Sequence, residues 1–525
     1  MNAPGVTEQS PWKPRANPWL IAVIVTLAAF MEILDTTIVN VALPHIAGSL
    51  SSSLDDATWT LTSYLVANGI VLTISGWLGS VFGRKRYFLI CIAMFTVCSL
   101  LCGFAQNLPE LIVFRLLQGF FGGGLQPNQQ AIVLDSFEPA KRGAAFGVTA
   151  VATVVAPVLG PLLGGYITDQ ASWRWIFLIN VPVGIFTFFA VMALVEDPPW
   201  AARQKRAIDF VGLILITLGL GFMQIVMDRG EDAGWFGSSS IRWMSAVAVV
   251  GIAAAIGWLL TAKKPVVNLA VFKDRNFALG SVMIAAMGFT LYASAVLIPQ
   301  FAQRTIGYTA SWAGLILAPG GLVVIALIPP VTRAMKKVQV RYLIAIGFSI
   351  MALALLFSAR IVPSIDFDEL TLMRCCQTAA LGFLFVPISV VAYSTLPKEL
   401  SADAAALYTM FRNVSGSIGI SLATACVTER LQVRQAYLST WLTPLNQPFN
   451  ALIERNESAL QAMGRATSTL HDAAVGMAYQ TLQTQASVMA YADAFYYCAL
   501  IAALVVPLTF LFSPIKAAGT PAPAH

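Results

Sequence analysis

Long apolar runs follow one another along the chain from Pro18 to about Ser513, separated by short polar breaks. Each is near the ~20 residues that a helix needs to cross a bilayer. Taken in order they predict about 14 membrane-spanning helices, over 18–44, 58–81, 86–105, 109–134, 142–167, 175–195, 208–227, 243–261, 277–303, 312–332, 341–360, 367–394, 402–428 and 492–513. Asn17-Pro18 supplies a cap and a first-turn proline for the first of them. That run is too long for a signal-peptide core and ends in acids, so it reads as a retained span. One long polar stretch, 431–490, interrupts the pattern before the last run. Its intermittent apolar residues (Leu438, Trp441, Leu445, Phe449, Leu452, Leu460) predict a helical hairpin or an extension of the thirteenth span.

Composition agrees with the pattern. The chain of 525 residues is 57% hydrophobic and 11% charged, against about 25% charged in soluble proteins. The fold class expected is an all-α polytopic membrane protein. The net charge of +6 comes from basic loops, so nucleic acid is not an expected partner. The seven cysteines fall almost wholly in apolar runs with no CxxC pair, and the three histidines are scattered. Neither pattern provides a metal site or a disulfide framework. No nucleotide loop or Ser/His/Asp arrangement suggests an enzyme.

Lysine and arginine set the orientation. With the N-terminus in the cytoplasm, 20 of them fall in cytoplasmic segments and nine in outer ones. An even number of spans then leaves both termini inside.

The two ends of the chain repeat one another. Ala57-Thr58-Trp59 followed by Arg86-Tyr87 matches Ala310-Ser311-Trp312 followed by Arg341-Tyr342. Arg115 and Gln118, then Pro127 and Pro139, match Arg374 and Gln377, then Pro387 and Pro397. Duplication of a six-span unit is a transporter signature. It divides the chain into a cytoplasmic tail 1–17, an N-terminal six-helix half 18–196, two inserted helices with linkers 197–276, a C-terminal half 277–513 that contains the outer segment 431–490, and a cytoplasmic tail 514–525.

Few ionisable residues lie well inside the runs, away from their ends: Glu32, Asp35, Arg115, Arg374 and Arg412. A charge at the bilayer centre costs about 2.5–3.5 kcal/mol on insertion scales, so such residues face interior cavities and mark ion or substrate paths. Glu32 and Asp35 share one helix face, a turn apart. Counting helix rise from Pro44 and from Pro109 puts Asp35 about 13 Å and Arg115 about 9 Å from the outer ends of their spans, close enough in depth to pair. A carboxylate whose burial raises its pKa, and whose arginine lowers it, carries a proton when access or that distance changes. Glu32 is a second site, for a proton or for a cationic substrate. Gln118, Arg374 and Arg412 are secondary candidates. In the fifth run, Gly160 and Gly164 form a small face for close helix approach and Pro157 and Pro161 bend the helix, which suits a gate between halves. The loop after the second run, Gly83-Arg84-Lys85-Arg86, is a short basic turn.

These residues resemble the major facilitator superfamily, in its 14-span drug:proton antiporter branch, over nearly the whole chain. Leu34 through Pro44 is similar to the branch's span-one motif, Phe114 through Gly119 to its span-four motif, and Ala156 through Gly165, including Gly165, to its span-five antiporter motif. Trp173 through Phe177, Asn180-Val181-Pro182, Met227 through Gly230, Arg275-Asn276-Phe277 and Gly307 through Ala310 add to the likeness. The loop motif keeps Gly76, Gly83, Arg84 and Lys85, but Ser80 and Val81 stand where the family has an acid and a base, so gating by that charge pair is not expected.

The resemblance implies two six-helix bundles plus two inserted helices. It implies a secondary active transporter, driven by the proton gradient without a cofactor, that exports amphipathic drugs or other toxic small molecules across the bacterial inner membrane by alternating access. Within the branch the nearest likeness is to the pump of a tripartite exporter, which implies a periplasmic adaptor (membrane fusion protein) and an outer-membrane channel as partners. The alternative is a proton-coupled uptake symporter for a small metabolite.

Overall fold

The computed structural model describes residues 12, 14–201, 208–443, 445–463 and 469–513. The tail 514–525, most of 1–17, and the basic residues Lys13, Arg203, Lys205, Arg206, Arg465 and Lys516 lie outside them. The described residues form helices α1 (Pro18–Ser49), α2 (Leu54–Ala57), α3 (Trp59–Phe82), α4 (Arg84–Phe104), α5 (Leu108–Gly122), α6 (Leu125–Ser136), α7 (Pro139–Gln170), α8 (Trp175–Leu178) and α9 (Asn180–Leu194). Then come α10 (Phe210–Arg229), α11 (Ser239–Thr261), α12 (Arg275–Phe301), α13 (Ala310–Ala334), α14 (Val340–Ser358), α15 (Phe367–Ala392), α16 (Ser401–Ser439), α17 (Gln447–Ala462) and α18 (Leu470–Val505).

Local chemistry starts several of these helices. The Asn17 side chain accepts the Trp19 amide at 2.9 Å. Asn107 accepts the Glu110 amide while Glu110 accepts the Gln106 amide, a reciprocal cap for α5. Asp209 accepts the Gly212 amide at the start of α10 and also takes Trp258 Nε1 of α11 and the Val266 amide. One carboxylate thus fixes the α10–α11 pair.

Among the described residues, eleven helical stretches are long and apolar enough to cross a membrane, and α7, bent by 40° beside Pro157, makes a twelfth. The other two expected spans, 109–134 and 402–428, are helical but less apolar. The fourth is two helices, α5 and α6, because Gly123 and Gly124 press against α3 and α4. A Cβ on Gly123 would lie 2.9 Å from the Leu72 nitrogen, and one on Gly124 2.6 Å from the Tyr87 hydroxyl. Buried Gln126, Asn128, Gln129 and Gln130 lower the apolarity of α6. Arg412, Asn413, Ser415 and Ser417 do the same in α16. Another difference is at Pro44, where the sequence predicts the end of the first span: α1 continues to Ser49, so Asp35 stands near mid-helix.

α1 packs on α7, α3 on α5, and α4 on α5 and α9. Likewise α12 packs on α16, α15 on α13 and α14, and α18 on α14 and α16. The two groups touch through α7 with α13 and α15, and through α16 with α3 and α6. The α10–α11 pair leans on α3 and α16: Gln224 donates to Ser417 Oγ at 3.2 Å, and Asp228 accepts from Thr62. The long polar segment holds both expected features. α16 and α18 extend well past the predicted span ends and are tied by Arg434, whose guanidinium grips Asp493 at 2.9–3.0 Å. α17 packs along α18 through Ile453, Leu460, Leu470 and Ala474.

Close glycine contacts allow these approaches. A Cβ at Gly119 would sit 2.9 Å from the Tyr64 Cα. Gly119→Ala is expected to lose about 1–3 kcal/mol by overpacking, read as a lower thermal unfolding midpoint in detergent. Gly48→Ala, with open space around it, should lose nothing; equal midpoints for the two variants would contradict this packing.

Candidate functional site

Asp35 is fully buried at the centre of the α1–α9 group. Its carboxylate accepts Arg115 Nη1 at 2.5 Å, Gln118 Nε2 at 3.0 Å and Asn180 Nδ2 at 2.8 Å. Three donors from α5 and α9 therefore compensate a charge that burial alone would penalise. Arg115 is held in turn. Its Nε donates to the Thr60 carbonyl at 3.2 Å, Nη1 also reaches Gln118 Oε1 at 2.9 Å, and its guanidinium lies 4.1 Å from the centre of the Tyr64 ring. Asn180 also donates to Ser99 Oγ at 3.1 Å. The cluster joins α1, α3, α4, α5 and α9.

Glu32, one turn away, sits differently. It lines a cavity of about 180 Å³ together with Arg115, Asn68, Tyr292 and Asn413; Asp35 does not line it. The Glu32 carboxylate accepts Asn68 Nδ2 at 2.9 Å and the Gln126 amide nitrogen. Gln126 in turn accepts Arg412 Nη2, and Arg412 Nε donates to Asn413 at 3.2 Å. So Arg412 belongs to the Glu32 side of the cavity, while Arg115 belongs to Asp35.

Arg374 heads a second cluster that copies the first without its acid. Its Nη1 donates to Ser294 Oγ at 3.1 Å and to Gln377 Oε1 at 3.3 Å, and Gln377 Nε2 donates to Ser358 Oγ at 2.8 Å. Arg374, Gln377, Ser294 and Ser358 stand at one constant offset from Arg115, Gln118, Asp35 and Ser99. The sequence repeat therefore extends to the side-chain cluster, with serine in place of the carboxylate.

The glycines and prolines of α7 serve two neighbours. A Cβ at Gly160 would overlap Thr37, and one at Gly164 would lie 2.9 Å from the Ile38 carbonyl oxygen, so this pair seats α7 on α1 beside Asp35. That corrects the expectation of a contact between halves for Gly160 and Gly164. Gly165 and Pro161 do face α13: a Cβ on Gly165 would lie 3.6 Å from Ser311 Oγ, and one on Gly314 3.7 Å from the Pro161 Cβ. Pro157 stands at the 40° bend.

In the loop motif, Gly76 lets α16 approach: a Cβ there would lie 2.7 Å from Asp403 Oδ1. Gly83 has φ +88°, a left-handed conformation that suits glycine. Ser80 only bonds back to the Trp77 carbonyl, yet the basic turn is not short of acids. Buried Arg84 pairs with Asp135 at the end of α6 and donates to Ser401 Oγ of α16 at 3.3 Å. The Lys85 amide donates to Asp197 at 2.8 Å. Burial raises the Asp197 carboxyl above its ordinary pKa, against the pull of the Lys85 amide and the Arg84 charge. Charge pairing thus comes from acids distant in sequence, Asp135 and Asp197, and not from positions 80 and 81.

Sequence reasoning missed Asn68, Gln126 and Gln130, and named Asn180 only as part of a family likeness without a role. The signal for the glutamines was the polar run Gln126 to Gln130 inside an apolar stretch. Among the described residues no three His, Cys, Asp or Glu side chains gather into a metal site.

The chain belongs to the Major Facilitator Superfamily, whose family model matches residues 25–420, and is a multi-pass membrane transporter rather than an enzyme. Among its relatives, the multidrug export protein EmrB of Escherichia coli is 36% identical over 95% of this chain and 96% of its own length. The fatty acid resistance protein FarB of Neisseria gonorrhoeae is 32% identical over 96% and 97%. In fold, the human organic anion transporter TETRAN superposes with a TM-score of 0.58 at 12% identity, covering 94% of this chain and 100% of that one.

The Arg84–Asp135 pair gives a direct test of this charge geometry. Asp135→Ala strands a buried guanidinium and is expected to cost about 3–5 kcal/mol, whereas replacing both partners with apolar residues costs much less. Thermal unfolding of the two purified variants checks the order; a double variant less stable than the single would refute it.

Proposed function

We propose that this chain is a proton-driven exporter of amphipathic small molecules across the bacterial inner membrane. The observation that carries the reading is the pair of acids a turn apart on α1. Asp35 is sealed among Arg115, Gln118 and Asn180, and Glu32 opens on the central cavity. In this reading a proton on Asp35 removes the charge that holds Arg115, Gln118 and Asn180 together. α1, α5 and α9 are then free to shift against one another. Export of substrate and entry of the proton alternate as the 18–196 and 277–513 halves rock about the cavity. The proton gradient is the only energy source. Amphipathic cargo is favoured by a cavity whose Glu32 and amides lie beside Ile33, Leu65 and Ile420, and by the multidrug and fatty acid resistance proteins among the relatives. The packing of Gly160 and Gly164 on α1 beside Asp35 couples the bend of α7 to the protonated helix, and the export and resistance proteins among the relatives support export over uptake.

Both termini lie in the cytoplasm in this reading, and the α16–α18 extension lies in the periplasm. There it presents Tyr437, Trp441 and Leu445 to solvent, Leu445 95% exposed. That apolar patch would dock a membrane fusion protein leading to an outer-membrane channel.

Two experiments test the proposal. In proteoliposomes, Asp35→Asn is expected to abolish efflux driven by an imposed proton gradient; unimpaired coupling would sink the assignment. Deleting residues 440–462 is expected to abolish co-purification with the membrane fusion protein and to leave efflux in proteoliposomes intact; retained co-purification would refute the docking role.

A further inference from the structure

α6 carries four buried amides, at Gln126, Asn128, Gln129 and Gln130. Two of them, one turn apart, face α16. Gln126 accepts from Arg412, and Gln130 Oε1 accepts from Thr409 Oγ1 at 3.2 Å. Gln126 differs from the other three in having an ion at each end. A carboxylate only accepts and a guanidinium only donates, so an amide between them has a single satisfied orientation, nitrogen to Glu32 and oxygen to Arg412. Charge at one end polarises the bond at the other. Glu32 and Arg412 also attract through space.

We propose that Gln126 is a positioning residue that relays the charge of Glu32 to Arg412, so that neutralising Glu32 loosens the contact between α6 and α16. This rests on the proton-coupled reading above and gives Glu32 a task distinct from that of Asp35. Ionised Glu32 orients the Gln126 amide, the amide oxygen holds Arg412, and α16 is drawn against α6 with the Gln130–Thr409 bond as a second rung. When Glu32 gains a proton, or a cationic group in the cavity takes its charge, the amide is no longer held between two ions. The weaker grip on Arg412 lets α16 part from α6 near the cavity. The arrangement links a titrating group on α1 to the helix that lines the far wall of the cavity, without direct contact between acid and base.

The titratable and charged groups around Glu32 are Asp35 on α1, Tyr64 on α3, Arg115 on α5, Tyr292 on α12 and Arg412 on α16. The test is hydrogen–deuterium exchange of the backbone over 401–412 in the full-length protein, compared between alkaline and acidic buffer and corrected for intrinsic exchange rates. In the unmodified protein, protection is expected to fall about tenfold in acid, the worth of one weakened hydrogen bond to a charged group. Glu32→Gln, which keeps the shape of the side chain, should show the low protection at both pH values. Gln126→Leu should do the same, and the double variant should match either single one. A merely structural Gln126 would lower protection and leave the acid-dependent step in place, and that result overturns the proposal. So does a step that persists in Glu32→Gln, including one that arises from Asp403 within the segment or that disappears only in Asp35→Asn. If Gln126→Leu does not accumulate, Glu32→Gln alone decides. Absence of the step in the unmodified protein, together with intact proton-driven efflux, sinks the relay and spares the exporter; a step that behaves as expected in a protein without proton-driven efflux does the reverse.

Discussion

Every feature of the site follows from the cost of placing charge where water cannot reach it. A carboxylate in the interior of an apolar bundle persists only if donors surround it. Asp35 meets that demand with three side chains from two other helices. The donors must arrive within about 3 Å of the acid, so the helices that carry them must come close. Gly119 against Tyr64 and Gly160 against Thr37 are the places where a side chain would prevent it. The small residues and the buried charges are therefore one construction: the glycines set helix spacing, and the spacing satisfies the acid.

The second cluster shows how much of this is architecture and how much is charge. Arg374 and Gln377 keep the positions of Arg115 and Gln118 in the repeat, and Ser358 and Ser294 take those of Ser99 and Asp35. A serine can accept from a guanidinium but cannot neutralise it. The repeated framework thus survives on hydrogen bonds alone, while the titratable group is confined to α1. The same economy appears at the basic turn, where Asp135 and Asp197 supply the acids that the local motif lacks. A charge pair depends on where side chains meet, and several backbone routes bring an acid to one arginine.

Much of the fold was legible in the sequence because hydrocarbon imposes a simple rule: about 20 apolar residues per crossing. Runs such as 58–81, 86–105 and 341–360 became helices within a residue or two of their predicted ends. The rule weakened where a helix is shielded from lipid by its neighbours. α6 and α16 carry buried amides and an arginine that their position tolerates, so they read as less apolar than they need to be to cross. Pro44 misled for a related reason: a proline removes one backbone donor but does not end a helix whose neighbours hold it.

The sequence by itself determined the class of protein, the helical elements, the two acids on one face of α1 and the repeat that pairs Arg115 with Arg374. These are properties of composition, periodicity and spacing, which local chemistry and the membrane rule make readable. Only the tertiary structure decided that Asp35 is sealed while Glu32 faces the cavity, and that Gln126 stands between Glu32 and Arg412. It also decided that Gly160 and Gly164 pack on α1 rather than across the two halves. Two carboxylates a turn apart have the same local sequence chemistry. What separates them is which neighbouring helices approach each one, and that depends on contacts between residues more than a hundred positions apart, such as Asp35 with Asn180 and Gln126 with Arg412.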